Sequence, residues 1–355
     1  MTNAFTRTPL WGTLFQDPQT AAEFSADRFC ARMVQFEAAW TRALRESGTV
    51  SKDAADMALA QIEGFKPDLD ALARASDVDG LPVPALVRQI KSNLPEDARA
   101  AIHSGATSQD VIDTATILTA RAILSMFDSR CTELLRLLHD LNDRFSDNPI
   151  SGRTRMQLAL PIVAGDRIED WRTPLAAHLD QLRELIKEIS VVQVGGAVGR
   201  RDTPRGSADV IVEDVAKSLG LRVSPVWHTD RSGILDIGHW LTKVTGTLGK
   251  MGQDIALMAQ QGIDEVQLDG AGGSSAMPHK QNPVRAEVLV AIARVVGGQQ
   301  GILAQSMVHE QERSGAAWAV EWMTLPAMFE ATGAALNNAD HLLRQIRHIG
   351  LKSAN

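Results

Sequence analysis

The segment "SGILDIGHWLTKVTGTLGKMGQDIALMAQQ" (residues 232–261) decides the fold of this chain. Its apolar residues recur at alternating intervals of three and four, and they are Ile234, Ile237, Leu241, Val244, Leu248, Met251, Ile255 and Met258. A repeat with a period near 3.5 predicts a long helix that packs lengthwise against other helices. A helix of this length spans roughly 45 Å, at about 1.5 Å of rise per residue.

The same spacing occurs in three more segments, at residues 117–141, 171–192 and 284–302. Because four long apolar stripes need partners along their whole length, the sequence predicts an all-α bundle with shallow packing angles. An extended scaffolding coiled coil is the alternative, but Gly- and Pro-rich loops separate the segments. The stripes also recur as if several subunits share the bundle, which predicts oligomerisation.

Composition limits the class of function. The 355-residue chain has 44% hydrophobic and 22% charged residues, and its net charge of −7 disfavours wholesale nucleic-acid binding. Its two cysteines, Cys30 and Cys131, lack metal-ligand spacing and fit a reducing compartment. No segment has the apolar length of a membrane span or the pattern of a signal peptide. The sequence predicts a cytoplasmic protein that binds neither nucleic acid, membrane nor metal.

The helical pattern also predicts three regions. Residues 1–102 have shorter helices interrupted by proline, which is typical of a small helical domain. Residues 103–307 contain the long stripes and form the predicted central bundle domain. Residues 308–355 form a C-terminal helical region, which we expect to be truncated.

Two polar stretches stand at predicted helix ends and have alternative interpretations. In "HSGATSQDVIDTA" (residues 103–115), Thr107 and Asp110 have capping-box spacing. Alternatively, Thr107 and Ser108 combine with helix-start N–H groups to bind a carboxylate. In "SGRTRMQLALP" (residues 151–161), Arg153 and Arg155 form either a solvated loop face or a pair of forks for carboxylates.

Two further stretches precede long helices. In "PVWHTDRSG" (residues 225–233), Arg231 belongs either to a structural ion pair or to an anion site. In "GAGGSSAMPHKQNP" (residues 270–283), Asn282 as N-cap and Pro283 as first helical residue predict a helix start. The glycines and serines before them, with Lys280, predict an anion-binding nest of backbone N–H groups.

Three of these stretches, "HSGATSQDVIDTA", "GRTRMQLALP" and "GSSAMPHKQNP", resemble the three signature regions of the fumarase/aspartase superfamily. The resemblance covers most of the chain, from about residue 24 to about residue 326. The resemblance implies a homotetramer with a central core of about twenty long helices. It also implies active sites that each draw one signature region from three different subunits, and it implies no cofactor. The shared chemistry is addition to, or elimination from, a carbon next to a carboxylate, through an aci-carboxylate carbanion.

The resemblance also implies roles for individual residues. Ser274 is the expected proton-transferring group, and Lys280 and Asn282 are expected to hold a substrate carboxylate. His103 is a further catalytic candidate, and Glu287 and His279 are expected to support the site. The residues expected to line it are Thr107, Ser108, Gln157, Ser275 and Met277.

One departure from the superfamily narrows the expected reaction. Arg155 stands where amine-expelling members similar to adenylosuccinate lyase have a histidine general acid, and arginine cannot donate a proton near neutrality. Lactone formation needs no such acid, because its reverse expels a carboxylate. Together with the resemblance, this departure implies a cycloisomerase for a small tricarboxylate bound by Arg153, Arg155, Arg231 and Lys280. An amine-expelling lyase and a catalytically silent helical tetramer are the alternatives.

Overall fold

The computed structural model describes residues 8–201, 208–270, 272–273 and 281–351. The N-terminal part consists of short helices, which are α1 (Pro18–Glu23), α2 (Ala26–Glu46), α3 (Lys52–Glu63), α4 (Leu69–Asp79), α5 (Val83–Lys91) and α6 (Glu96–Ala100). The side chains of Ser25, Ser51 and Asp68 accept backbone N–H groups at the starts of α2, α3 and α4. These caps fix where the helices begin.

The rest of the chain is dominated by long helices, as predicted. They are α7 (Ser108–Phe145), α8 (Ala164–Ile189), α10 (Ser232–Met258), α11 (Val284–Leu303) and α12 (Gly315–Gln345), with the shorter α9 (Ala208–Leu219) between α8 and α10. The apolar stripe of residues 232–261 is buried throughout, and so is that of residues 117–141. The predicted all-α fold is confirmed.

The bundle has two distinct ends. Helix α7 begins next to Thr107 and runs for 38 residues, or roughly 57 Å. Helix α8 returns antiparallel beside it, and α10 and α12 also begin near Thr107, whereas α11 runs the opposite way. We call the end at which α7 begins the Thr107 end. The opposite end, where a hairpin of two strands follows α7, is the hairpin end.

The described residues also form three short two-stranded sheets. Strands β1 (Pro149–Thr154) and β2 (Gln157–Val163) form an antiparallel hairpin after α7, where we expected a loop. Strand β3 (Val266–Leu268) pairs with β6 (Ile346–Ile349), and the two-residue strands β4 (Gly272–Gly273) and β5 (Gln281–Asn282) pair with each other. Each sheet has only two strands, so none produced a long alternating pattern.

The start of α11 also differs from the prediction. Asn282 lies in β5, and the helix begins at Val284 with Pro283 in the cap position. Its predicted stripe is only half covered, because Val288 and Ile292 are buried whereas Val295 and Ile302 are 54% and 52% exposed. Surface of this kind on a long helix is typical of a subunit interface.

The segment Val284–Met307 is the one part of the described chain that is long and apolar enough to cross a membrane. It packs against α10 and α12, and 44% of its most apolar window is buried inside the protein. The expected domain boundaries near residues 102 and 307 stay predictions. They lie close to the start of α7 and to the short 3-10 helix Ala304–Met307 that follows α11.

Candidate active site

The first polar stretch opens α7 and is pinned by Asp110. The backbone N–H of Thr107 donates to Oδ2 of Asp110 at 3.0 Å, as expected for a capping box. The buried carboxylate also accepts the N–H groups of Gly195 and Gly196 at 2.8 and 3.1 Å, and Nε2 of His228 lies 3.0 Å from it. Asp110 is therefore structural, and it leaves Thr107 and Ser108 half-buried at a helix N-terminus, where an anion is favoured.

His103 lies just before this helix start. Its Nδ1 is 2.6 Å from Oε1 of Glu37, a carboxylate of α2 that is fully buried. The imidazole side chain is 18% exposed. His103 thus stands at the Thr107 end with one ring nitrogen held by a buried acid.

Arg313 is a residue of this end that the sequence did not single out as functional. Its Nε donates to Oε1 of Gln109 at 2.9 Å, and its Nη2 donates to Oγ1 of Thr107 at 3.0 Å and to the carbonyl of Ala197 at 3.3 Å. These three acceptors are neutral, so no carboxylate offsets the guanidinium charge in the described contacts. A positive charge beside a helix N-terminus strengthens the case for an anion at this end.

The structure corrects the assignment of Arg231 as a substrate ligand. Its side chain is 1% exposed and lies between two buried carboxylates, 2.7 Å from Asp113 and 2.5 Å from Glu321. Burial by itself lowers the pKa of Arg231, but the attraction of Asp113 and the hydrogen bonds that Arg231 donates to Glu321 raise it above the ordinary value. Arg231 is a structural ion-pair centre, which was one of the two interpretations of that stretch.

The second polar stretch forms the β1–β2 hairpin at the opposite end of the bundle. Arg153 was expected to bind substrate, but its Nη1 lies 3.0 Å from both oxygens of the fully buried Glu265. Arg153 is therefore paired with Glu265 within the chain. The backbone N–H of Ser151 donates to the same carboxylate at 2.9 Å, which fixes the hairpin on the chain after α10.

Arg155 and Gln157 lie at the exposed tip of this hairpin. Arg155 has a φ of 49°, in the left-handed region, as tight hairpin turns require. A cavity of about 330 Å³ beneath the tip is lined by Arg155, Arg167 and Lys250, among other residues. Lys250 pairs with Asp254, whereas among the described residues neither Arg155 nor Arg167 has a carboxylate within ion-pair distance.

The third polar stretch is described only at its two ends. Gly272 and Gly273 pair with Asn282 and Gln281, so the two described ends of the stretch lie side by side. Glu287 is exposed in the first turn of α11. The remaining predicted residues lie outside the described part of the chain, and they are Ser274, Ser275, Met277, His279 and Lys280.

One chain does not bring the three stretches together. Thr107 stands at one end of α7 and the hairpin follows its other end, so the first stretch lies roughly 57 Å from the second along the helix axis. The flanks of the third stretch are at the hairpin end, because Asp269 donates its N–H to the carbonyl of Gln345 at the end of α12. Among the described residues, no group of three or more His, Cys, Asp or Glu side chains has the arrangement of a metal site.

Comparison with known proteins gives consistent relatives. A family model described as lyase matches residues 15–298. The 3-carboxy-cis,cis-muconate cycloisomerase of Acinetobacter baylyi is 35% identical over 94% of this chain and 76% of its own length. Trans-aconitate decarboxylase 1 of Mycosarcoma maydis is 30% identical over 94% of this chain and 69% of its own length.

A solved structure agrees with these sequence relatives. The 3-carboxy-cis,cis-muconate lactonizing enzyme from Pseudomonas putida superposes with a TM-score of 0.88 at 34% identity. The match covers 96% of this chain and 78% of that one.

Proposed function

Because this chain belongs to the lyase family of the fumarase/aspartase superfamily, we propose that it converts 3-carboxy-cis,cis-muconate to carboxymuconolactone. The reaction is an intramolecular addition that needs no cofactor. We place it in the protocatechuate branch of the β-ketoadipate pathway and in the cytoplasm, where buried free thiols such as Cys30 and Cys131 persist.

Arg155 is the observation that carries the proposal. Its guanidinium lies at an exposed hairpin tip with no carboxylate partner among the described residues, so it is available to a substrate anion. Arginine does not release a proton near neutrality, since its pKa exceeds about 12. A site built around Arg155 therefore suits a reaction whose leaving group, in reverse, is a carboxylate.

The proposed mechanism needs only the substrate and one proton from solvent. One substrate carboxylate oxygen attacks an alkene carbon, and the electron pair moves to the carbon next to another carboxylate. The resulting aci-carboxylate is stabilised by cationic and N–H donors, for which Arg155, Lys280, Asn282 and the Thr107–Ser108 helix start are our candidates. Ser274 then delivers a proton to the carbanion and is reprotonated from solvent. The proton gained at carbon offsets the carboxylate charge lost in the lactone, so the product is an isomer of the substrate acid.

A homotetramer whose sites draw on three subunits is part of this proposal. Within one chain the Thr107 end and Arg155 are too far apart to hold one small substrate. The hairpin exposes Leu158 and Leu160 at 74% and 78%, and α11 exposes Val295 and Ile302. Apolar surface of this extent, on the hairpin that carries the second stretch and on the helix that follows the third, favours contact with other copies of the chain.

Mixed tetramers test the shared site. We expect Arg155→Ala and Ser274→Ala proteins to be inactive alone and to regain activity after co-refolding. If the two residues of one site come from different subunits, random mixing restores both in roughly a quarter of the sites. Mixing two separately prepared Arg155→Ala samples is the matched control and stays inactive. An inactive mixture in which mixed tetramers have formed would contradict the shared site.

A comparison of substrates tests the reaction class. We expect turnover of 3-carboxy-cis,cis-muconate and no release of fumarate from adenylosuccinate by the same preparation. Fumarate release without muconate turnover would favour the amine-expelling alternative instead. A folded tetramer inactive on both would favour the catalytically silent one.

A further inference from the structure

One face of α2 holds the chain segment that leads into the candidate active site. Glu37, Trp40 and Thr41 share this face and are all fully buried. The Trp40 indole donates to the carbonyl of Ser104 at 2.9 Å, and the Thr41 hydroxyl donates to the carbonyl of Ala101 at 3.1 Å. Two backbone carbonyls on either side of His103 are therefore fixed by α2.

Glu37 contributes the third contact of this face, and it is of a different kind. Its Oε1 lies 2.6 Å from Nδ1 of His103, while its Oε2 is buried and has no hydrogen-bond partner among the described residues. A fully buried carboxylate is costly unless it is paired. Lys91 of α5 also interacts with this carboxylate: burial lowers the pKa of Lys91, and the charge of Glu37 opposes that shift. The hydrogen bond with His103 is thus the contact that directly offsets the cost of burying this carboxylate.

The backbone of His103 is also constrained. Its φ of 60° lies in the left-handed region, which non-glycine residues adopt rarely and only where the surroundings hold them. With Nδ1 occupied by Glu37, Nε2 is the ring nitrogen left for other partners. His103 stands four positions before Thr107, at the helix start that favours an anion.

We propose that Glu37 is a positioning residue that keeps Nδ1 of His103 protonated and directs Nε2 of the ring to the substrate site at the start of α7. When the ring carries both protons, its Nε2–H donates to one carboxylate of the tricarboxylate substrate. A buried acid behind a histidine fixes the tautomer and the orientation of the ring, as in other acid–histidine pairs. This role deepens the proposed function and rests on it.

Kinetics of single and double variants test the pair as a unit. We expect Glu37→Gln to lower kcat/KM for 3-carboxy-cis,cis-muconate by roughly 10- to 100-fold, mostly through KM, since the lost interaction acts on binding. His103→Gln is expected to lose at least as much, and the double variant no more than His103→Gln alone. Glu46→Gln, an exposed glutamate on the same helix, is the matched control and keeps the original rate. Losses that multiply in the double variant would overturn the proposal.

A spectroscopic readout separates this inference from the proposed reaction. In protein labelled with ¹⁵N-histidine, we expect the His103 signals to report a protonated Nδ1, and we expect Glu37→Leu to move the proton to Nε2. This result holds even if the protein does not turn over carboxymuconate, in which case only the reaction assignment fails. Unchanged His103 signals in Glu37→Leu, or a Glu37→Gln protein of lower stability with unchanged kinetics, would show that the contact is merely structural.

Discussion

Replacing Arg231 with methionine is expected to lower the free energy of unfolding by about 3–5 kcal/mol. The change leaves the carboxylates of Asp113 and Glu321 buried, close together and without their shared cation. Burial already raises the pKa of Glu321 above its ordinary value, although the hydrogen bond from Arg231 acts against that shift. Chemical denaturation at a fixed protein concentration measures the loss.

Two further variants show whether the unpaired charges cause the loss. Arg172→Met removes an exposed ion pair with Glu169 and is expected to change stability by less than about 1 kcal/mol. Arg231→Met combined with Asp113→Asn and Glu321→Gln leaves no charge in this ion-pair centre, and we expect it to be more stable than Arg231→Met alone. An Arg231→Met protein as stable as the Arg172→Met protein would contradict the buried ion-pair centre.

Replacing Ser274 with alanine is expected to lower kcat on 3-carboxy-cis,cis-muconate by about a thousandfold, with a much smaller change in KM. The hydroxyl is the proposed proton donor to the carbanion, so its loss affects the transition state more than substrate binding. Steady-state kinetics over a range of substrate concentrations separate the two constants.

Ser129→Ala is the matched control for this change. Ser129 is an exposed serine of α7 whose hydroxyl donates to the carbonyl of Ser125, far from any predicted site residue in the chain. We expect it to keep the original kcat. If Ser274→Ala also keeps it, Ser274 is not the proton-transferring residue, and the family assignment is unaffected.

The fold was predictable where one physical rule dominates. The stripe from Ile234 to Met258 specifies a long helix because every turn must bury the same face, and α10 follows it from end to end. The β1–β2 hairpin was not predictable in this way. Its strand β2 exposes Leu158 and Leu160, so it lacks the alternation of apolar and polar residues that a half-buried strand shows.

The candidate site was predictable only in part. Arg155 and Arg231 are both arginines in polar stretches, and nothing local distinguishes the exposed one from the buried one. The partners of Arg231 are Asp113 and Glu321, which lie far away in the sequence and reach it only through the packing of α7 and α12 against α10. Arg313 was missed for the same reason, since its contacts with Thr107 and Gln109 cross most of the chain.

The most direct test of the central claim is turnover of 3-carboxy-cis,cis-muconate by the purified protein. We expect the muconate absorbance to disappear in proportion to enzyme concentration without any added cofactor. Proton NMR of the same mixture should show a single carboxymuconolactone that accounts for all of the substrate consumed. Persistence of the absorbance with a correctly folded tetramer would contradict the proposed function.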